Sequence, residues 1–89
     1  MVYVDDAAIM HKGKLRYHMT ADSLAELHAF TAGIGIARCW FHAHPRHPHY
    51  DVTLEDRTAA LDAGAQAVDS RTLAQKARLL RTDRSKPAK

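Results

Sequence analysis

Two alternating runs of hydrophobic and polar residues near the start of the chain predict short β-strands. They lie at residues 2–5 and 15–19, separated by a polar segment at 6–14. Successive side chains of a strand point to opposite faces of a sheet, so strict alternation indicates a strand with one buried face. In the second run Arg16 and His18 fall on the same face. We expect the two strands to pair, with residues 6–14 as their connection.

Apolar residues at helical spacing predict three helices, each preceded by a residue that can cap it. In the first, Glu26 stands three residues after a serine, the spacing of a capping box. The capping candidates, in chain order, are Asp22 or Ser23, Thr53, and Asp69 or Ser70. The stripes expected to be buried are Leu24, Leu27, Thr31 and Ile34, then Leu54, Thr58 and Leu61, then Leu73, Ala77 and Leu80.

The centre of the chain predicts a strand, a loop and another strand. Residues 36–41 are mostly apolar and favour a third strand, with Cys39 buried in it. Pro45 and Pro48 exclude a helix or a central strand in the loop that follows. A new strand is expected near His49, and alternation places Asp51 on the same face as His49.

The elements together predict an α/β fold, a small mixed sheet of about four short strands with about three helices packed on it. A last short strand is expected at residues 66–68. The length of 89 residues fits one domain, which we place at residues 1–81. Residues 82–89 have the composition of a disordered basic tail.

The single cysteine excludes an internal disulfide and a multi-cysteine zinc site within one chain. No apolar run is long enough to span a membrane and no signal peptide is evident, so a cytoplasmic protein without membrane contact is expected. Phosphate-binding glycine loops, nucleophile elbows and His-Glu-x-x-His motifs are absent from the sequence. These absences exclude several common enzyme classes, while a homo-oligomer remains compatible with the sequence.

The net charge of +3 hides two oppositely charged regions. Residues 1–70 carry six Lys/Arg and nine Asp/Glu, whereas residues 71–89 carry seven Lys/Arg and one Asp. A basic end can bind an anionic partner such as a nucleic acid or a nucleotide. The candidate contacts are Arg78, Arg81, Arg84 and Lys86. The alternative is a solvated helix followed by a tail that has no binding role.

Four of the seven histidines lie in the loop between the third and fourth predicted strands. They form two His-x-His pairs, and imidazole is the commonest protein ligand for zinc and neighbouring metals. The exposed members, His42, His44 and His47, are expected to bind metal adventitiously. The fourth histidine of the loop, His49, starts the strand after it.

Three segments resemble a family of small proteins known as domain of unknown function 4031 (DUF4031). They are DSLAELHAF at residues 22–30, HYDV at 49–52 and AGA at 63–65. The resemblance covers most of the chain up to about residue 80. It implies that an early aspartate, a His-x-x-x-Asp pair, a Glu-Leu-His helix and a His-Tyr-Asp motif form one polar site. Its candidate metal ligands are Asp5, His18, His28, His49 and Asp51, and its supporting residues are Asp22, Glu26 and Tyr50.

Neutral imidazoles with a carboxylate suit Zn²⁺ or another divalent transition metal, and an open coordination position would allow hydrolysis. One hypothesis is therefore a metal-dependent hydrolase acting on a phosphoester of a nucleotide or nucleic acid. The other is a non-catalytic binding module, in which the cluster is structural and the basic helix contacts nucleic acid or protein. The metal content of untagged protein discriminates between them.

Overall fold

The computed structural model describes the backbone of residues 1–85 and the side chains of residues 1–80. This part of the chain forms a mixed α/β fold with three helices, as predicted, and a sheet of six strands rather than about four. The strands are β1 (Val2–Val4), β2 (Ile9–His11), β3 (Lys14–Ala21), β4 (Phe41–His42), β5 (His49–Val52) and β6 (Gln66–Ala67). The helices are α1 (Leu24–Gly33), α2 (Leu54–Asp62) and α3 (Ser70–Ser85).

The long strand β3 organises the sheet, whose order is β4-β5-β3-β1-β6. β1 and β2 both pair with β3 antiparallel, one after the other along its length. The pairing of β1 with β3 confirms the predicted pairing of the strands at residues 2–5 and 15–19. β5 lies antiparallel on the other edge of β3, and β6 joins β1 in parallel. Residues near the middle of β3 therefore have neighbours on two sides.

The predicted connection at residues 6–14 contains an unpredicted strand, β2. It forms a hairpin with β3 through Lys12 and Gly13, whose φ angles of 53° and 80° lie in the left-handed region that two-residue hairpin turns require. All three residues of β2 are exposed. Because β2 has no buried face, it produces no hydrophobic alternation in the sequence.

The prediction of a strand at residues 36–41 is wrong. A 3₁₀ turn occupies Arg38–Trp40, and only Phe41 and His42 form a strand, β4. Cys39 is exposed rather than buried. Residues 37–39 are all exposed, so nothing on this segment supplies the buried face that a strand needs.

One face of the sheet packs on α1 and α2 to form the core. Val4, Met19 and Tyr50 from the strands meet Leu27 of α1 and Ala60 of α2, all fully buried. Burying a leucine or methionine side chain of this kind stabilises the fold by roughly 2 kcal/mol. The opposite face of β3 and β5 faces α3.

The predicted caps begin the helices where expected. The Ser23 hydroxyl accepts a hydrogen bond from Glu26 N at 3.1 Å, and the Thr53 hydroxyl accepts one from Asp56 N at 3.1 Å. At α3, Asp69 Oδ1 accepts from the Thr72 amide at 2.7 Å. These bonds satisfy amide groups that have no partner within the helix.

The buried stripe of α3 is confirmed, and that of α2 is right only at Leu61, which is partly buried against the core. Leu73, Ala77 and Leu80 are buried as predicted, but Leu54 and Thr58 of α2 are exposed and Ala60 takes the buried position. The helix is turned so that Arg57 Nε donates to the carbonyl oxygen of Asp5 at 2.8 Å. This contact over 52 residues of sequence separation fixes a rotation that local spacing does not encode.

The carboxyl-terminal helix runs to Ser85, past the end predicted near residue 81. The predicted tail at 82–89 stays a prediction, and its residues 86–89 lie outside the described residues. The side chains of Arg81, Arg84 and Lys86 lie outside them as well. Within residues 1–85, no helix combines the length and the hydropathy that a membrane crossing requires.

Candidate metal centre

Three predicted ligands meet on the sheet face opposite the core. The register pairs His18 of β3 directly with Asp51 of β5, and His49 lies two residues before Asp51 on the same face. One ligand atom from each lies within 4.8 Å of the other two. All three side chains are partly buried. Strand pairing thus brings together residues more than 30 positions apart in sequence.

Asp5 holds the imidazole of His18 in place. This carboxylate is fully buried, and its two oxygens contact His18 Nδ1 at 2.8 Å and the His18 amide at 2.9 Å. The hydrogen bond with Asp5 raises the pKa of His18, although burial of the ring acts in the opposite direction. With Nδ1 engaged by a carboxylate, Nε2 of His18 is left for a ligand, the arrangement that orients many metal-binding histidines. Asp5 therefore supports the centre from behind.

His49 is fixed by the loop that precedes it. Its Nδ1 donates to the carbonyl oxygen of His47 at 2.7 Å, since that oxygen can only accept. The Thr20 hydroxyl donates to the next carbonyl, that of Pro48, at 3.1 Å. Burial of His49 lowers its pKa and favours the neutral ring. A neutral ring with hydrogen on Nδ1 has a free lone pair on Nε2.

Asp51 lies between two histidines. Its Oδ1 is 3.3 Å from His49 Nε2, and its Oδ2 is 2.9 Å from His42 Nε2. The His42 ring stacks on that of His49 with centroids 5.4 Å apart and an interplanar angle of 14°. His42 is 47% exposed, which agrees with its predicted exposure. Its ring nevertheless contacts Asp51 of the centre.

A cavity of about 200 Å³ opens beside these residues. Its sheet-side wall includes Asp5, His18 and His49, and the opposite wall is the start of α3. The residues that α3 and the loop contribute are Ser70, Leu73, Ala74 and His47. A molecule held at the centre would therefore have room between the sheet and the first turns of α3.

His28 does not join the centre. Its Nδ1 hydrogen-bonds with the Tyr50 hydroxyl at 2.7 Å, and its ring meets the edge of Phe41 at a centroid distance of 4.7 Å. Tyr50 alternates with His49 and Asp51 along β5, so it points to the core face. The structure thus places His28 and Tyr50 behind the sheet, where they support β5.

Asp22 and Glu26 also lie outside the cluster. Asp22 accepts a hydrogen bond from the Tyr3 hydroxyl at 2.9 Å, and Asp22 and Glu26 both contact the amino group of Met1. Ser23, not Asp22, caps α1. The placement of Asp22 and Glu26 is structural, and neither faces the cavity.

His44 and His47 stack on each other at the outer end of the loop, with centroids 4.5 Å apart. His44 Nδ1 accepts the amide hydrogen of Arg46 at 3.0 Å. Because Nδ1 accepts, the neutral His44 ring has its hydrogen on Nε2, and a metal can bind there only after a change of tautomer. The predicted adventitious binding at these two residues stays a prediction.

Two further residues lie near the centre, and the sequence did not predict a role there for either. They are His42, which contacts Asp51, and Arg16. Arg16 is only 8% exposed, and its guanidinium carbon lies 4.1 Å from the centroid of the Trp40 ring. The one available signal for Arg16 was strand alternation, which puts it on the face of His18. The His-x-His pattern marked His42 only as an adventitious ligand, because its contact with Asp51 depends on the pairing of β4 with β5.

The fold and the cluster define a small mixed α/β protein with a His/Asp centre on the sheet face covered by α3. The chain belongs to DUF4031, a family described as proteins of unknown function, whose model matches residues 2–80. This match confirms the resemblance found in the motifs. No curated protein and no solved structure is significantly similar to the chain. The matched range spans every residue of the centre, and the description of the family names no activity.

Proposed function

We propose that the protein is a hydrolase that binds one divalent transition metal through His18, His49 and Asp51. Its substrate would be a phosphoester of a nucleotide or nucleic acid. The observation that carries the metal site is the pair His49 Nε2 and Asp51 Oδ1. The charge of α3 supports the substrate class.

Nε2 of His49 and Oδ1 of Asp51 face each other as two acceptors at 3.3 Å. Because Nδ1 of His49 donates to a carbonyl, the neutral ring has no hydrogen on Nε2. Burial favours this neutral form. Two lone pairs at this distance repel, and a cation between them turns the repulsion into coordination. His18 Nε2 completes the donor set.

Two imidazoles and one carboxylate suit Zn²⁺, Mn²⁺, Ni²⁺ or Fe²⁺ and leave coordination positions open. A divalent ion bound there would activate water and polarise a phosphoryl oxygen. His42 Nε2 contacts the other oxygen of Asp51 at 2.9 Å and would orient the carboxylate, as Asp5 orients His18. The residues of this chain thus supply both the ligands and the groups that fix their directions.

The charge of α3 supports an anionic substrate. The residues of α3 include five Lys/Arg and one Asp, and the start of this helix forms one wall of the cavity. A positive element beside the centre attracts phosphates and raises their local concentration. The basic helix and the proposed metal would act on the same ligand.

The second candidate is a non-catalytic binding module whose basic carboxyl-terminal helix contacts nucleic acid or a protein. The observation that favours it is the apolar character of the α3 wall, where Leu73 and Ala74 face the cavity. In that case the His/Asp cluster is a hydrogen-bond network that holds the sheet. The two candidates differ in whether a metal is bound and whether catalysis follows.

The experiment measures metal stoichiometry and affinity in untagged protein. A His44→Ala/His47→Ala background removes the two stacked rings at the outer end of the loop and retains the backbone carbonyl that His49 uses. We expect one equivalent of metal, and a loss of affinity of at least about 100-fold in His49→Ala or Asp51→Asn, since each removes a ligand. His11→Ala, an exposed histidine on β2, is the matched control and should bind as the background does.

Hydrolysis is then assayed with a phosphodiester and a nucleoside monophosphate. Activity that requires the metal and is lost in His49→Ala supports the hydrolase. Stoichiometric metal without hydrolysis would leave a metal-binding module. Equal metal binding by the background protein and His49→Ala would refute the site itself.

A further inference from the structure

Arg16 is a buried cation without a polar partner among residues 1–80. Its side chain is 8% exposed, and its Nε atom is inaccessible and makes no hydrogen bond to any described residue. Arginine is rarely buried unless it is paired, because removal of the guanidinium from water is costly. A buried N–H group without an acceptor is equally rare. The side chain is therefore arranged for a partner that the folded chain does not provide.

The contact with Trp40 positions this guanidinium but does not satisfy it. The guanidinium carbon lies over the ring face, 4.1 Å from the centroid. A cation–π contact offsets part of the desolvation cost, yet it supplies no acceptor for the N–H groups. The five N–H groups of arginine form a rigid fork that matches two oxygens of a phosphate or carboxylate. An oxyanion is the partner that this geometry fits.

Both members of the stack adjoin the metal centre along the chain. Arg16 lies two residues before His18 on β3, so the two side chains leave the same sheet face about 6.7 Å apart. Trp40 lies two residues before His42, whose Nε2 is 2.9 Å from Asp51 Oδ2. An anion bound by the guanidinium would therefore lie on the same sheet face as the proposed metal.

We propose that Arg16, positioned by Trp40, binds a phosphoryl oxyanion of the substrate beside the His18/His49/Asp51 centre. The role of this anion as a substrate group rests on the proposed function, whereas the anion site itself does not. Asp5 and Asp51 make the face acidic and would repel a phosphate. Arg16 supplies the fixed positive charge that lets an anion approach, and it selects substrates that carry an oxyanion over neutral esters.

The test uses the metal-free full chain, in which Trp40 is the single tryptophan and reports directly on the stack. Inorganic phosphate is titrated at constant ionic strength while Trp40 fluorescence is recorded. We expect a saturable change that Arg16→Met abolishes. Arg16→Lys should weaken binding at least about 10-fold, because an ammonium group lacks the planar fork. Arg38→Gln, which removes an exposed arginine close in sequence to Trp40, is the matched control and should bind as wild type does.

Acetate titrated under the same conditions separates a phosphoryl site from a general anion site. Phosphate binding tighter than acetate binding supports the proposal, and equal affinities contradict its phosphoryl part. Arg16→Lys keeps the buried charge, so it decides the question if Arg16→Met does not fold. No saturable change up to about 10 mM phosphate, or equal affinity in wild type and Arg16→Lys, would show that Arg16 only stacks on Trp40.

The same titration in His49→Ala separates this inference from the proposed function. Phosphate binding that persists in His49→Ala shows that the anion site does not depend on the metal ligands, and if wild type binds no metal, the anion site stands while the hydrolase fails. Conversely, a chain that binds metal stoichiometrically but never responds to phosphate retains the metal centre and overturns the role of Arg16.

Discussion

Each donor of the centre is oriented by a specific neighbour. Asp5 engages Nδ1 of His18, the His47 carbonyl engages Nδ1 of His49, and His42 engages the outer oxygen of Asp51. Metal affinity depends strongly on such supporting groups, because they fix both the direction and the protonation of the ligand atoms. Substitution of a supporting residue therefore perturbs the site without removing a ligand.

Asp5→Asn should weaken metal binding by roughly 10–100-fold and reduce its dependence on pH. The Asp5 carboxylate raises the pKa of His18, so in wild type the metal must displace a proton from this ring until the pH exceeds that raised value. Titration calorimetry in two buffers of different ionisation enthalpy measures the protons released. Equal proton release by wild type and Asp5→Asn at pH 7 would contradict this role.

The pair of Asp5 and His18 contributes more to the stability of the metal-free protein at low pH than at high pH. The folded pKa of His18 is raised above the ordinary value of 6.5, so its stabilisation is complete below pH 6.5 and is lost as the pH rises through the raised value. His49, whose pKa burial lowers, has the opposite sign and loses its contribution as the pH falls below 6.5. The difference in unfolding free energy between wild type and Asp5→Asn isolates the first effect. Urea denaturation with chelator at pH 5.5, 7 and 8.5 should show it shrinking as the pH rises.

At the scale of elements, β5 separates two polar systems because its residues alternate between the faces of the sheet. His49 and Asp51 face α3, while Tyr50 and Val52 are buried against α1 and α2. Alternation follows from strand geometry alone and was predictable. It was not predictable that His28 would join the Tyr50 side, because the sequence does not reveal which sheet face α1 covers.

Tyr50→Phe should therefore lower stability without affecting the metal. The change removes the hydroxyl that hydrogen-bonds with His28 at 2.7 Å and preserves the buried ring. We expect a loss of about 1 kcal/mol in the free energy of unfolding, measured by urea denaturation. Metal affinity should match that of wild type. A loss of affinity as large as that expected for His49→Ala would instead make Tyr50 part of the centre.

Two leucines of α3 form a matched pair for testing how this helix covers the site. Leu73 is 5% exposed and lines the cavity, whereas Leu79 is 65% exposed. Leu73→Ala should cost about 2–4 kcal/mol of unfolding free energy, and Leu79→Ala less than about 0.5 kcal/mol. Both are measured by chemical denaturation. Similar losses in the two variants would mean that α3 is not seated on the sheet through Leu73.

At the scale of the whole molecule, charge is divided between an acidic body and a basic end. Deleting residues 82–89 should leave the fold and the metal site intact, because Leu80 is the last apolar residue buried in the described part. If the end contacts nucleic acid, affinity for duplex DNA should depend on salt with a log–log slope of about −0.9 per phosphate contacted, and the deletion should flatten it. Fluorescence anisotropy at several salt concentrations measures the slope. An unchanged slope would assign no nucleic-acid role to these residues.

Local chemistry in the sequence predicts much of this fold, and contacts over long separations account for the rest. The Ser23 and Thr53 caps follow from short spacings. The rotation of α2 depends on a bond from Arg57 to the distant Asp5 carbonyl, and no window of neighbouring residues contains it. An exposed strand such as β2 has no buried face and therefore leaves no hydrophobic pattern.

The same distinction holds for the site. His18, His49 and Asp51 were predicted as ligands because they belong to the motifs that resemble DUF4031, and alternation placed His49 and Asp51 on one face. Arg16 was placed on the correct face, but its burial depends on the 3₁₀ turn that brings Trp40 over it, where the sequence favoured a strand. Function was the least predictable level, since it depends on which side chains lack a partner after folding.

The histidine loop is attached to the sheet at two consecutive carbonyl oxygens, those of His47 and Pro48. Everything between β4 and that anchor, residues 43–46, is exposed and makes no bond to the centre in the described structure. The loop is thus divided into a fixed end and a replaceable tip. We expect the tip to accept an inserted peptide, a change of length or a reporter group while the imidazole of His49 keeps its direction, which makes residues 43–46 the natural insertion point of this small protein.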